Sequence, residues 1–280
     1  MCSHTCTLSR RLLPALLALA AALAAVPGSG ATVSSSPGPG TALALGQNPV
    51  ALAVDRRDRL ACVVVQGPQD IFSRYSGNGL VRIIALPRGR IVHSATVGAE
   101  PVAVVVDERS GHVFIANSVS SGLIVLDTRT DKVAQAIALR APVTTLTSDG
   151  RGHVVALDTR NTISVLDGRS GRVIRTVAAL SAGGSAGSGS ALALALAIGG
   201  QGRRAFVVAD AAGRQRHRVY GIDLGGASST ALYRASIPGD AIDGVAWDAG
   251  SRRLLVVSAR AQAPATATSL LGAGWLSLIS

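Results

Sequence analysis

The stretch Gly98–Leu139 reads GAEPVAVVVDERSGHVFIANSVSSGLIVLDTRTDKVAQAIAL, and it decides the fold. It contains four short apolar runs that are rich in β-branched residues and separated by polar turns, and its apolar residues show no helical spacing. A Pro-Val pair opens the first run, and Asp107 and Asp127 end the first and third runs. We therefore predict four short β-strands joined by hairpins.

The same pattern recurs along the chain at intervals of about 40–50 residues. The Pro-opened first strand appears as NPVALAVD at 48–55, as EPVAVVVD at 100–107 and as APVTTLTSD at 141–149. Four strands per repeat of this length are typical of a propeller blade. An isolated β-sandwich is the alternative, but it does not predict a strand-by-strand repeat. We predict an all-β protein, a β-propeller of about five four-stranded blades.

Gly98–Leu139 also resembles the YVTN-type β-propeller repeat. The resemblance rests on the G-x-x-P opening, on Phe114-Ile115-Ala116-Asn117 in place of the literal tetrapeptide, and on the Leu-Asp-Thr-x-Thr turn before Lys132. The next repeat matches in part, and the others match only in strand pattern. The resemblance implies a propeller, although members of that family commonly have more blades than this chain has room for.

The last repeat lacks a fourth strand, because its third, Trp275–Ser280, reaches the end of the sequence. The apolar segment Thr41–Leu45 occupies the fourth-strand position just before the first Pro-Val pair. Unpaired sheet edges expose unsatisfied backbone groups. We therefore expect Thr41–Leu45 to pair beside Trp275–Ser280 and to close the ring. A truncated reading frame is the alternative.

The first residues have the pattern of a secretory signal peptide. Arg10 and Arg11 precede an uncharged apolar run, 12–26, which is too short to span a bilayer and is followed by small residues. An uncleaved anchor is the alternative. The predicted organisation is a signal peptide at 1–31, a flexible linker at 32–40 and the propeller at 41–280. This predicts a periplasmic or extracellular protein with no transmembrane span in its mature chain.

Catalytic patterns are missing from the sequence. It contains no nucleophile–base motif and no phosphate loop, and His112 and His153 occupy the same hairpin position in neighbouring repeats, which argues against a metal pair. We predict a non-catalytic protein with no catalytic residue, cofactor or metal. The alternative is a glycosidase-like or lactonase-like hydrolase with two carboxylates at the mouth of the propeller, drawn from Glu100, Asp158, Asp240 and Asp243.

Polar residues at the ends of second strands and in blade-to-blade loops should share one side of the propeller, which we call the upper side. They either cap strands and turns or form a polar binding mouth. Gln66, Asn117, Asp158, Asp210 and Ser258 are expected to be equivalent positions in a ring. The candidate upper-side binding residues are Asn48, Gln66, Phe72, Tyr75, Glu100, Asn117, Asp158, Asp210 and Asp240.

The chain is basic, with 27 Lys and Arg against 16 Asp and Glu, and Lys132 is its one lysine. Arginine binds phosphate and carboxylate groups bidentately, so a polyanion such as nucleic acid, anionic lipid or a wall polymer is the expected partner, with another protein as an alternative. A solvated rim of hairpins would have the same composition. The candidate polyanion-binding residues are Arg203, Arg204, Arg214, Arg216, Arg218, Arg252 and Arg253.

Overall fold

The computed structural model describes ten stretches of the chain. They are 42–46, 48–68, 77–130, 132–179, 193–199, 202–210, 217–225, 231–237, 241–259 and 274–279. The predicted signal peptide and linker lie outside the described residues, as do Phe72, Tyr75, Arg214, Arg216 and Asp240. The described residues all belong to one compact unit, Ser36–Ser280.

The described strands form five antiparallel sheets, four with four strands and the last with three. Each sheet is made of strands that follow one another in the chain, so each repeat of the sequence is one blade. Blade 1 contains β1 (Pro49–Asp55), β2 (Leu60–Val65), β3 (Gly79–Ala85) and β4 (Arg90–Gly98). Blade 2 contains β5 (Pro101–Asp107), β6 (His112–Asn117), β7 (Gly122–Asp127) and β8 (Lys132–Ala138). Blade 3 contains β9 (Val143–Ser148), β10 (His153–Asp158), β11 (Thr162–Asp167) and β12 (Val173–Ala178). Blade 4 contains β13 (Ala193–Gly199), β14 (Arg204–Asp210), β15 (His217–Asp223) and β16 (Ala231–Ile237). Blade 5 contains β17 (Ala241–Asp248), β18 (Arg253–Ala259) and β19 (Gly274–Ile279).

The core consists of layers between neighbouring blades. Second strands carry continuous apolar runs because both of their faces are covered, as in β6, where the side chains from Val113 to Asn117 are all buried. The fourth strands β8 and β12 are largely exposed. Between blades 1 and 2, Cys62 and Val64 pack with Val104 and Val113. This burial raises the pKa of the Cys62 thiol to about 12.

The expected ring closure differs from what the structure has. Among the described residues, β19 pairs only with β18, and 42–46 belongs to no strand. Leu43 and Leu45 instead pack beside the buried side chains of Ala61, Val63 and Val65 in blade 1. The physical reason is that Ala61, Val63 and Val65 form an apolar surface on this side of blade 1, and the apolar segment covers part of it. None of the described residues forms a helix long and apolar enough to cross a membrane.

Candidate functional site

The register of the strands corrects the predicted upper-side ring. Counted from the first residue of each second strand, the equivalent positions are Val65, Asn117, Asp158, Ala209 and Ser258, and each pairs with a residue at or next to the start of its first strand. Gln66 and Asp210 therefore lie one residue beyond the equivalent position. The five equivalent residues are all buried, so these positions form an interior layer and do not line a solvent-filled mouth.

Two of the predicted upper-side residues connect blades 1 and 2. The Nδ2 atom of Asn117 donates a hydrogen bond to the Val97 carbonyl oxygen at 2.8 Å, across the connection from blade 1. Gln66 donates from Nε2 to the Pro101 carbonyl oxygen at 3.2 Å, so the contact runs in the opposite direction. Asn161, which the sequence did not single out, accepts from the backbone N–H of Ala193 at 2.9 Å and ties blade 3 to blade 4. These amides brace the joints between blades.

Three of the remaining described candidates on this side, Asp158, Glu100 and Asn48, also take part in local hydrogen bonds. Asp158 accepts from the backbone N–H groups of Arg160 and Thr162 at 2.9 and 2.8 Å, which makes it a turn residue. Glu100 accepts from the Ser118 hydroxyl at 2.5 Å. Asn48, at a φ of 51°, offers its carbonyl oxygen to the Gln66 N–H at 3.0 Å. Asp210 ends β14 directly opposite His217, and Asp243 is exposed on β17.

The two hairpin histidines have separate structural roles. His112 contacts the Gly168 carbonyl oxygen of blade 3 through Nδ1 at 3.0 Å. His153 Nδ1 lies 2.7 Å from the Asp149 carboxylate in its own turn. Within the part of the chain that the structure describes, no three His, Cys, Asp or Glu residues are grouped in a way that could hold a metal ion.

The lower side of the propeller contains the turns between first and second strands, which we call the inner hairpins. An aspartate of the hairpin accepts backbone N–H groups of the same turn, as Asp248 does from Gly250 and Ser251, each at 3.1 Å. The hydrogen bond from the Ser251 hydroxyl has the largest effect in holding the pKa of Asp248 below its usual value, and these two N–H groups add to it. Asp55, at the same position in blade 1, is fully buried, and burial raises its pKa.

Two inner-hairpin arginines bridge neighbouring blades, a role that sequence reasoning missed. Arg57 of blade 1 donates from Nη1 to the carbonyl oxygens of Glu108 and Arg109, both at 3.3 Å. Arg109 of blade 2 donates in turn to the Arg151 carbonyl oxygen of blade 3 at 2.6 Å. We call these contacts hairpin bridges. The repeated spacing of arginine in successive hairpins was the available signal, but the acceptors are backbone atoms, which every sequence has.

No bridging arginine occurs among the described inner-hairpin residues of blades 4 and 5. Arg203, Arg204, Arg252 and Arg253 are exposed, and their guanidinium groups make no hydrogen bond to any described residue. Arg218, on β15, is also exposed. In the described ranges the one ion pair joins His153 and Asp149, so no inner-hairpin arginine there is paired with a carboxylate. The predicted polyanion-binding residues Arg203, Arg204, Arg252 and Arg253 are therefore exposed positive charges with no carboxylate partner among the described residues.

Comparison with known proteins places the fold. No family model matches the chain, and no curated protein matches it. It is similar to the solved structure of hydrazine synthase from Kuenenia stuttgartiensis, with 14% identity and a TM-score of 0.63 over 85% of this chain and 65% of that one. It is also similar to the β-propeller domain of Cps50 (Swd1) from Myceliophteria thermophila, with 13% identity and a TM-score of 0.55 over 75% of this chain and 62% of that one. The chain thus spans less than two thirds of the length of either structure. At this level of identity the likeness shows the fold alone, and the protein is a β-propeller.

Proposed function

We propose that the chain is an exported, non-catalytic β-propeller that binds an anionic partner through the inner-hairpin arginines of blades 4 and 5. The observation that carries the proposal is the contrast between engaged acids and unengaged arginines on the lower side. Asp107, Asp149 and Asp248 accept hydrogen bonds within their own turns, whereas the guanidinium groups of Arg203, Arg204, Arg252 and Arg253 are exposed and unpaired among the described residues. Exposed guanidinium groups in one neighbourhood attract phosphates and carboxylates.

The non-catalytic part of the proposal is supported by the local bonding of the candidate carboxylates. A hydrolase of the glycosidase type needs two carboxyl groups facing one another across a substrate. Asp158 is buried and accepts two N–H groups of its own turn, and Glu100 accepts a hydroxyl group from Ser118. Both are committed to the connections of the fold.

Export and kinship rest on the sequence. The charged start and the short apolar run at 12–26 support secretion to the periplasm or the extracellular space. The Gly98–Leu139 pattern supports kinship with YVTN-type repeats.

Few aromatic residues are available for base stacking, since the chain holds 2 Trp, 3 Tyr and 3 Phe. Binding should therefore be indifferent to base sequence and sensitive to salt.

Retention on an immobilised polyanion tests the proposal. The wild-type chain should bind at low salt, and its affinity should fall by roughly 10³-fold between about 50 and about 200 mM salt if six or more phosphates are neutralised. Replacing Arg203, Arg204, Arg252 and Arg253 with Ser should abolish most of the retention. Replacing four exposed arginines of blade 1 with Ser (Arg56, Arg59, Arg88 and Arg90) makes the same charge change elsewhere and should have a small effect.

Two results would contradict this assignment. If wild-type chain passes a polyanion column at low salt without delay, the anionic partner is wrong. If both quadruple variants lose retention equally, net charge and not the surface of blades 4 and 5 governs binding. A third variant replaces Arg214, Arg216 and Arg218 with Ser, and selective loss of retention in that variant would move the site to these three residues.

A further inference from the structure

An aspartate lies at or just after the end of the first strand in blades 1, 2, 3 and 5, and in the last three of these its own hairpin supplies a side-chain donor. The Asp107 carboxylate accepts a hydrogen bond from the Ser110 hydroxyl at 2.7 Å. The Asp248 carboxylate accepts one from the Ser251 hydroxyl at 2.5 Å, and the ring of His153 has this role in blade 3. In each case the donor reaches the Oδ2 atom of the aspartate.

Blade 1 has an acid at the position of this donor. Asp58 lies three residues after Asp55, where blades 2 and 5 have serine. An ionised carboxylate accepts hydrogen bonds and cannot donate one. Asp58 donates its backbone N–H to Asp55 Oδ1 at 2.9 Å, but Asp55 Oδ2 has no hydrogen-bond partner in the described part of the chain. Since Asp55 is fully buried, this oxygen is also shielded from water.

A second carboxylate approaches Asp55 from blade 2. Glu108, in the inner hairpin of that blade, accepts the backbone N–H of Arg56 at its Oε1 atom, at 3.1 Å. This bond holds the Glu108 carboxylate beside the residue that follows Asp55. Burial is the largest cause of the raised pKa of Asp55, and the negative charges of Asp58 and Glu108 add to it, while the backbone N–H of Asp58 opposes it.

The cations of the two hairpins do not offset these negative charges. Within the described ranges, none of them forms an ion pair with Asp55, Asp58 or Glu108. The guanidinium groups of Arg57 and Arg109 donate to backbone carbonyl oxygens instead. The other titratable side chains of these hairpins and their second strands are those of the exposed Arg56 and Arg59, the Cys62 thiol, and His112, which contacts blade 3.

We infer that Asp55 and Asp58 form a proton-binding pair, which makes the joint between blades 1 and 2 more stable in acid than at neutral pH. A proton on Asp55 removes the buried charge and ends its repulsion by Asp58 and Glu108. Without that proton, the joint encloses a carboxylate whose Oδ2 atom has no described donor. Because the pKa of Asp55 is raised above 3.8, this stabilisation is complete below that value and is lost as the pH rises through the raised pKa.

Asp58→Ser tests the pair by restoring the hydroxyl group that blades 2 and 5 have. The variant should raise the melting temperature by about 2 °C at about pH 7, because the hydroxyl supplies the missing donor and one repelling charge is gone. At about pH 3, where Asp55 is protonated in both the folded and the unfolded chain, the variant should melt close to wild type. Asp243→Ser makes the same charge change at an exposed acid of β17 and is the matched control, which should show no such difference between the two pH values.

The carbon-13 NMR titration of the Asp55 side-chain carboxyl provides a second readout, which does not depend on stability. The wild-type midpoint should lie above 3.8 and should fall in Asp58→Ser. Glu108→Gln should lower it by a smaller amount, because the amide oxygen keeps an acceptor for the Arg56 N–H while the charge is lost. Asp243→Ser should leave the Asp55 midpoint unchanged.

Three results overturn the inference. The first is a wild-type Asp55 midpoint at or below 3.8. The second is an Asp55 midpoint that stays in place in both Asp58→Ser and Glu108→Gln. The third is an equal gain in melting temperature for Asp58→Ser at both pH values, which would mean that the serine improves the turn without acting on the proton.

Discussion

The inner hairpins of blades 1 to 3 and those of blades 4 and 5 have similar sequences and different surroundings. In the first group, the guanidinium groups of Arg57 and Arg109 donate hydrogen bonds to backbone carbonyl oxygens of the next hairpin. In the second, Arg203 and Arg252 lie in the corresponding turns, and their guanidinium groups make no hydrogen bond to a described residue. Arginine therefore bridges the hairpins of blades 1 to 3 at two positions, whereas Arg56 and Arg59 of blade 1 and the described hairpin arginines of blades 4 and 5 are exposed and make no bridge.

The largest expected effect concerns how blades 4 and 5 stay together without a hairpin bridge among their described residues. Phe206 and Trp247 are stacked nearly parallel, at an interplanar angle of 11°, within the joint. Phe206→Ala should lower the free energy of unfolding by about 3–5 kcal/mol, because it leaves a cavity in a packed interior. Denaturant unfolding measures the change. A loss below about 1 kcal/mol would mean that the stack contributes little to this joint.

The second prediction concerns the close fit of blade 2 on blade 3. A Cβ atom at Gly168 would overlap the carboxylate of Asp107, which is itself buried. Gly168→Ala should therefore lower stability by about 1–3 kcal/mol. Gly250, in the inner hairpin of blade 5, has its nearest neighbour atom at 3.4 Å, so Gly250→Ala should stay within about 0.5 kcal/mol of wild type. Equal effects in the two variants would erase this difference between the two regions.

The hairpin bridges give a smaller effect. Arg109→Ala removes a charge-assisted hydrogen bond of 2.6 Å at an exposed site and should cost about 1 kcal/mol. Arg203→Ala, in the corresponding turn of blade 4, should change the melting temperature hardly at all but should reduce retention on a polyanion. If Arg109→Ala reduces retention and leaves stability unchanged, the division of roles between the two regions is wrong.

The smallest effect is a pH dependence of opposite sign in two equivalent carboxylates. Burial raises the pKa of Asp55 above the ordinary 3.8, so its contribution to stability is present below that value and is lost as the pH rises through the raised pKa. The pKa of Asp248 is lowered, so its contribution is present above 3.8 and is lost as the pH falls through the lowered pKa. Thermal melts from about pH 3 to about pH 7 measure both contributions. Relative to wild type, Asp55→Asn should remove a loss of stability with rising pH, and Asp248→Asn should remove a gain of stability with rising pH. Slopes of the same sign would contradict the difference in burial.

The blade repeat could be predicted from the sequence because its signals are local. The Pro-opened strand that ends on Asp107 was expected at 100–107 and is β5, Pro101–Asp107. The hairpins and the alternation of the strands follow from short-range steric and turn preferences. The all-β propeller of about five blades is thereby confirmed.

The details of the site depend on longer-range geometry that the sequence does not display. A bulge between Pro49 and Ala51 sets which residue of β2 faces the start of β1, so Val65 and not Gln66 matches Asn117. The role of Arg57 depends on a carbonyl oxygen of the neighbouring blade, which no side-chain pattern marks. The position of 42–46 was likewise decided by an uncovered apolar face and not by the unpaired edge of β19.

Cys62 gives this protein an internal reporter of local opening. Its thiol is fully buried between blades 1 and 2, and its raised pKa keeps it in the unreactive protonated form at neutral pH. A thiol reagent can reach it only during excursions in which those two blades separate. With Cys2 and Cys6 replaced by Ser, the rate of labelling measures how often this joint opens, and it can be followed without unfolding the rest of the chain.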